Sequence, residues 1–161
     1  MGVCNHLGLA FDPKDEAKAI AMLNGEGDEG GNDCIRYQLQ IDLEREVYYD
    51  VHRVLEVLAE DSPELAALGT IVIGSRYVAD AGNGMVYFYS VETVGAMAEA
   101  YRRVTPDELA LAVKKVRSEE PQRCPHASPE YPAYLAEKFA MIRDELSLVA
   151  DNGWAVIAGM F

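Results

Sequence analysis

Residues 85–118 read MVYFYSVETVGAMAEAYRRVTPDELALAVKKVRS and predict one strand followed by two helices. The strand, residues 86–89, consists of β-branched and aromatic residues, which pack well on a pleated surface. Ser90 is a favourable N-cap for the first helix, residues 91–104, because its hydroxyl can accept a hydrogen bond from a free backbone N–H. The apolar residues of that helix recur at helical spacing.

The second helix, residues 106–117, has a complete set of start signals. Thr105 and Glu108 have the spacing of a capping box, and Pro106 occupies the first helical position, where its missing N–H costs nothing. These residues are explained by folding alone. This part of the chain therefore predicts an architecture and no reaction.

The remaining sequence predicts an α+β fold in one domain, residues 1–161, with a mostly antiparallel sheet and long helices packed on it. Because the strands do not alternate regularly with helices, and a short turn at Gly82 precedes the strand at 86–89, antiparallel neighbours are favoured over crossovers. Further strands are expected at residues 3–11, 34–41, 70–73 with 76–78, and 154–158. Further helices are expected at residues 12–23, with Ala17 on the apolar side, and at residues 42–61. Another is expected at residues 133–151, where Gly153 provides a left-handed stop. The proline-rich stretch 119–132 is expected to be irregular.

The composition is strongly acidic, with 27 acidic and 14 basic residues and a formal charge of −13. Such a charge repels phosphate backbones and anionic lipids, so we expect neither nucleic acid nor a membrane as a partner. No apolar run approaches the roughly 20 residues that cross a bilayer. The first residues lack the features of a secretory signal, so we expect a cytoplasmic protein. No cofactor-binding motif is present, and the oligomeric state stays open.

The acidic segment, defined as residues 24–33, contains glycine, asparagine and acidic residues and has no apolar side chain. Its carboxylates are Glu26, Asp28, Glu29 and Asp33. The spacing of an EF-hand is missing, so the segment is not predicted to be a calcium site. We interpret these four residues as candidates for binding a basic protein partner.

Two Cys-x-His pairs give the chain an alternative metal hypothesis. Cys4 and His6 would lie on the same face of a strand, and Cys124 and His126 lie in the proline-rich stretch. Their spacing matches no established zinc pattern. We therefore predict that the purified protein carries no stoichiometric zinc.

The central helix contains the candidate general base, His52. It lies at the edge of an apolar stripe, one turn from Tyr48, where we expect an imidazole to be half-buried. A packed, hydrogen-bonded histidine is the simpler interpretation. An enzyme would place His52 and Tyr48 in a cleft with Cys124 and His126.

The chain resembles the YfbM-like family of small bacterial proteins of unknown function over most of its length. The resemblance lies in the opening strand, in Tyr48, Val51 and His52 of the central helix, in residues 84–94, and in residues 152–157. The family usually has tryptophan where this chain has Tyr48. The resemblance implies a compact α+β fold and a cleft-lining role for Tyr48 and His52.

Two functions remain open from the sequence. The first is a non-catalytic binding protein of immunity or regulatory type, which holds a basic partner through its acidic residues. The second is a small hydrolase or metal-dependent enzyme built around His52.

Overall fold

The computed structural model describes residues 6–23, 31–41, 45–62, 65, 76–80, 85–119, 121 and 128–160. Its strands are β1 (His6–Phe11), β2 (Ile35–Leu39), β3 (Arg76–Asp80), β4 (Met85–Tyr89) and β5 (Ala155–Met160). Its α-helices are α1 (Glu16–Leu23), α2 (Arg45–Asp61), α3 (Val91–Arg103), α4 (Pro106–Glu119) and α5 (Tyr131–Asp151). These elements confirm the predicted α+β class. The predicted strand at residues 70–73 lies outside the described residues.

The strands form one sheet in the order β2-β1-β5-β4-β3. Every neighbouring pair is antiparallel, which confirms the predicted sheet type. The central strand is β5, where Val156 pairs with Ala10 of β1 and Ile157 pairs with Phe88 of β4. The strand nearest the end of the sequence therefore joins the β1–β2 pair to the β3–β4 pair.

Side chains alternate between the two faces of the sheet, as the period of a strand requires. Ala10 and Val156 belong to the larger core cluster, which includes buried residues of helices α2 to α5. Phe11 and Ile157 belong to a smaller cluster on the other face, covered by Ala19 of α1. The two clusters thus lie on the two faces of one sheet.

The predicted helix caps are present. The Ser90 hydroxyl accepts a hydrogen bond from the Thr93 N–H at 3.2 Å. Thr105 Oγ1 accepts from the Glu108 N–H at 3.3 Å, while Glu108 Oε2 accepts from the Thr105 N–H at 2.8 Å. After α5, Gly153 adopts a left-handed φ of 66°, the predicted helix stop.

The predicted start of α5, the predicted end of β5 and the predicted buried face of α1 are wrong. Helix α5 begins at Tyr131, inside the stretch expected to be irregular, because Pro132 is tolerated in the first turn of a helix. Strand β5 continues to Met160, since Gly159 pairs with Leu7 and Val86, and Met160 pairs with His6. On α1 the buried residue is Ala19, whereas Ala17, expected on the apolar face, is exposed.

No helix in the described ranges is long and apolar enough to span a bilayer.

The capping box predicts a pH-dependent stability difference between the wild type and Glu108→Gln. Hydrogen bonds from the Thr105 backbone and hydroxyl lower the pKa of Glu108 below its ordinary value of 4.5. A carboxylate with a lowered folded-state pKa stabilises the fold above its unfolded pKa, and this contribution is lost as the pH falls through the folded value. Glutamine can keep the hydrogen bond but not the charge.

We therefore expect the wild type to melt at a higher temperature than Glu108→Gln at neutral pH. The difference should shrink as the pH falls below the ordinary glutamate pKa. Circular-dichroism melts from neutral to acidic pH measure this difference. A difference in melting temperature that does not change with pH would contradict a lowered pKa of Glu108 in the folded protein.

Candidate functional site

The central helix α2 places a buried carboxyl group against the start of α5. Its predicted stripe is confirmed by the burial of Val47, Val51, Val54, Leu55 and Leu58. Asp50 shares that buried side and is 1% exposed. Its Oδ2 atom accepts a hydrogen bond from the Tyr131 hydroxyl. A polar contact thus fixes where α5 begins relative to α2.

Neither Asp50 nor Tyr131 was singled out from the sequence. A signal for Asp50 was available, because it lies three residues after Val47 and four residues before Val54. Helical spacing therefore places a carboxyl group within an apolar stripe, and a buried carboxyl group requires a partner. Tyr131 has no comparable signal in the sequence, because it lies in the proline-rich stretch that is expected to be irregular.

His52 lies two residues after Asp50 on α2, with 28% of its side chain exposed. Its Nε2 atom is 3.3 Å from Glu56 Oε1, one turn along the helix. Its Nδ1 atom is buried and has no hydrogen-bond partner in the described part of the chain. One ring nitrogen thus faces Glu56, and the other is shielded from solvent.

Arg53 connects α2 to the end of α4. Its guanidinium donates to both carboxylate oxygens of Glu119, at 3.0 and 2.9 Å, and to Glu56 at 3.0 Å. The hydrogen bonds to Glu119, and then those to Glu56, raise the pKa of Arg53. In return, Arg53 lowers the pKa of Glu119. Two carboxylates therefore hold this cation in a position that links two helices.

The predicted catalytic residues are only partly described. His52 is placed as above, whereas the side chain of Tyr48, together with Cys124 and His126, lies outside the described residues. Cys34, the described cysteine, is buried in the cluster on the opposite face of the sheet from α2. The enzyme hypothesis therefore stays a prediction, and Cys34 is not part of it.

The side chains of the alternative metal ligands lie outside the described part of the chain. Cys4, Cys124 and His126 lie outside the described residues, and His6 is described only as a backbone position of β1, paired with Met160. Among the side chains that the structure does describe, no three His, Cys, Asp or Glu residues are grouped to hold a metal ion. The zinc prediction remains a prediction.

One of the four candidate partner-binding residues, Asp33, lies next to an edge strand of the sheet. Asp33 is exposed, in a 3₁₀ turn (Gly31–Cys34) that leads directly into the edge strand β2. Glu26, Asp28 and Glu29 lie outside the described residues. The position of the acidic segment along the chain therefore places it before an edge strand.

Most described basic side chains already contact a carboxylate. Arg53 pairs with Glu119, and Arg102 pairs with Asp151, each at 2.9 Å or less. Similar pairs within 4.0 Å involve Lys14, Lys18, Arg36, Arg103, Lys115 and Arg143. Much of the positive charge on the described surface is thus locally compensated.

Comparison with known proteins supports the architecture. No family model matches the sequence, and no curated protein matches it. The arrangement of strands and helices is that of a compact YfbM-like α+β protein. The solved structure of YfbM from Escherichia coli, a protein of unknown function, is similar to this chain with a TM-score of 0.61 and 13% sequence identity. The similarity covers 97% of this chain and 99% of YfbM, which confirms the resemblance at the level of the fold.

We expect the substitution of tyrosine by phenylalanine to change the free energy of unfolding differently at two buried positions, Tyr131 and Tyr101. Tyr131→Phe removes the hydrogen bond to Asp50, and we expect the free energy of unfolding to fall by about 1–3 kcal/mol. Tyr101 is fully buried and its hydroxyl has no partner among the described residues, and burial raises its pKa. Tyr101→Phe removes an uncompensated polar group, so we expect stability to stay unchanged or to rise by about 1 kcal/mol.

Urea unfolding of the two variants, followed by tryptophan fluorescence, measures both values under identical conditions. Equal losses of stability in both variants would show that the Tyr131 hydrogen bond has no special role.

Proposed function

We propose that this chain is a non-catalytic cytoplasmic binding protein, of immunity or regulatory type, which holds a basic protein partner through its acidic segment. The observation that carries the proposal is the distribution of charge. The acidic segment has four carboxylates and no lysine or arginine, whereas most described basic side chains already contact a carboxylate. The sequence therefore concentrates four negative charges in a ten-residue stretch that has no basic residue.

Such a surface acts mainly on the rate of association. A field of one sign draws an oppositely charged partner toward the correct face and can raise the association rate by one to three orders of magnitude. The final affinity depends more on a few buried anchor residues. We therefore expect the acidic segment to speed the first contact with the partner and to orient the partner, rather than to set the final affinity.

The state of His52 favours this proposal over an enzyme. One ring nitrogen faces Glu56 and the other is buried. An exposed base next to an open cleft would have favoured catalysis instead.

The proposal predicts a salt-dependent association rate. A pull-down from the native cell supplies the partner, and stopped-flow or surface-based kinetics then measure both rate constants. Association should slow markedly as the Debye length falls from about 30 Å in dilute salt to about 8 Å at physiological salt. Dissociation should change much less, because short contacts are screened less than the long-range field.

A matched pair of variants separates the acidic segment from the overall charge. The first variant reverses Glu26, Asp28 and Glu29 to lysine. The second reverses Glu99, Glu137 and Asp144, three exposed acids on α3 and α5, and changes the net charge by the same amount. We expect the first variant to lose most of the association rate and the second to lose little. Equal losses of association rate in the two variants would refute the role of the acidic segment. An association rate that does not change with salt concentration would also refute it.

A further inference from the structure

Strand β2 lies at one end of the sheet, and β1 is its strand neighbour in the described ranges of the chain. An end strand presents unpaired backbone N–H and C=O groups that can pair with a strand of another chain. Gln38 and Leu39, the last two residues of β2, still pair with Leu9 and Gly8 of β1. The inner edge of β2 is thus used by β1, and the outer edge is where a further strand would add.

Side chains hold two backbone groups at the end of β2. The Gln40 side-chain amide donates a hydrogen bond to the Gln38 carbonyl at 3.1 Å, and the Gln40 backbone N–H donates to Glu145 Oε2 at 2.9 Å. Continuing the register with β1 would place Leu7 opposite Gln40, but Glu145 accepts this N–H instead. Both hydrogen bonds are exposed to solvent. Because the backbone groups of alternate residues point to the same side of a strand, those of Gln38 and Gln40 share one side.

We propose that this side is the outer edge of β2, and that Gln40 and Glu145 guard it against pairing with β2 of a second copy of this chain. The guard holds one acceptor, the Gln38 carbonyl, and one donor, the Gln40 N–H. A strand that added here would need both groups for its antiparallel ladder. This role is separate from the binding of a basic partner by the acidic segment.

The carboxylate of Glu145 is held in place by a second hydrogen bond. Its other oxygen, Oε1, accepts from the Tyr37 hydroxyl at 3.0 Å. Tyr37 is partly buried against the large core cluster, so the carboxylate is anchored to a packed side chain of the same strand. A charged group at an edge strand is one of the devices by which natural proteins prevent edge-to-edge pairing. Glu145 therefore blocks the edge both by its hydrogen bond and by its charge.

An irregularity in β2 limits the length of edge that has to be guarded. Ala10 of β1 pairs with Tyr37, and the next residue, Phe11, pairs with Ile35, which leaves Arg36 as an extra residue in β2. Such a bulge bends the strand and interrupts a ladder. The regular part of the outer edge is therefore residues 37–40, where the two guarded groups lie.

A second copy of the chain is the occupant that this edge fits by symmetry. In a two-fold pair the same surface meets itself, so one residue supplies both a donor and an acceptor. With the axis at Gln38, its carbonyl would accept from the Gln38 N–H of the second copy, and Tyr37 would lie opposite Leu39. Both Tyr37 and Leu39 pack in the large core cluster, so the pair would extend an apolar face. Aromatic and aliphatic residues in opposed positions stabilise a strand pair.

The test is sedimentation velocity of the full chain over a range of protein concentrations, at about 0.15 M salt, where the Debye length is about 8 Å. Gln40→Ala releases the Gln38 carbonyl, and Glu145→Ala releases the Gln40 N–H. We expect each variant to self-associate about tenfold more tightly than the wild type, because both copies regain a group for pairing. The double variant should associate more tightly than either single variant.

Gln38→Ala is the matched control. It removes an exposed glutamine side chain two residues from Gln40 and leaves the Gln38 backbone carbonyl in place. It should sediment as the wild type does. Circular dichroism of each variant checks that the fold is retained.

Amide hydrogen exchange shows which edge is used, and it needs no variant to fold. In the wild type the Gln38 N–H should exchange fast, because the outer edge has no strand partner. The N–H groups of Tyr37 and Leu39 should exchange slowly, because they point toward β1. In self-associated Gln40→Ala, the Gln38 N–H should become protected.

Each of the following results would overturn the proposal. Slow exchange of the Gln38 N–H in the wild-type monomer would show that this side of β2 is already paired. Sedimentation of both guard variants like the wild type would show that the held groups do not prevent pairing. Equal association of Gln38→Ala and Gln40→Ala would show an effect of losing any glutamine from this segment. Association without protection of the Gln38 N–H would place the contact between copies elsewhere.

Discussion

The sheet depends on the pairing of β5 with strands from both halves of the sequence. In β5, Ile157 lies opposite Leu9 on one side and Phe88 on the other, so one short segment completes two antiparallel ladders. The same strand contributes to both cores, because Val156 faces the large cluster and Ile157 the small one. Its entry into the sheet is set by Gly153, whose left-handed backbone ends α5. Without β5, the β1–β2 and β3–β4 pairs would share no hydrogen bonds within the described sheet.

The helical layer is held in register by a few polar contacts as well as by its apolar core. Asp50 and Tyr131 set the start of α5 against α2, and Arg53 joins α2 to the end of α4 through Glu119. At the edge of the sheet, Glu145 of α5 accepts hydrogen bonds from the Tyr37 hydroxyl at 3.0 Å and the Gln40 N–H at 2.9 Å. Residues that carry typical catalytic side chains are thus used to position secondary structure.

The features that could be predicted from the sequence are those encoded by neighbouring residues. The Thr105–Glu108 box, the Ser90 cap and the Gly153 stop each depend on a few consecutive positions, and each is present. The strand order could not be predicted, because it depends on pairing between segments far apart in the chain, such as Ala10 with Val156. The candidate functional site was harder to predict from the sequence than the strand order. His52 and Asp33 were found from their residue types, whereas the Asp50–Tyr131 contact required knowing which helix packs against the stripe that contains Asp50.

The central position of β5 also sets the order in which the molecule can be assembled during synthesis. Residues 155–160 leave the ribosome after every other described element, so the two outer strand pairs must wait for their shared neighbour. Contacts between residues so far apart in sequence are slow to form, because a long loop has to close before they stabilise the chain. Until then, β1 and β4 each have an edge with unpaired backbone hydrogen-bonding groups, and such an edge can pair with a strand of another chain. The strongly acidic composition counters that hazard, since chains of like charge repel one another while the sheet is incomplete.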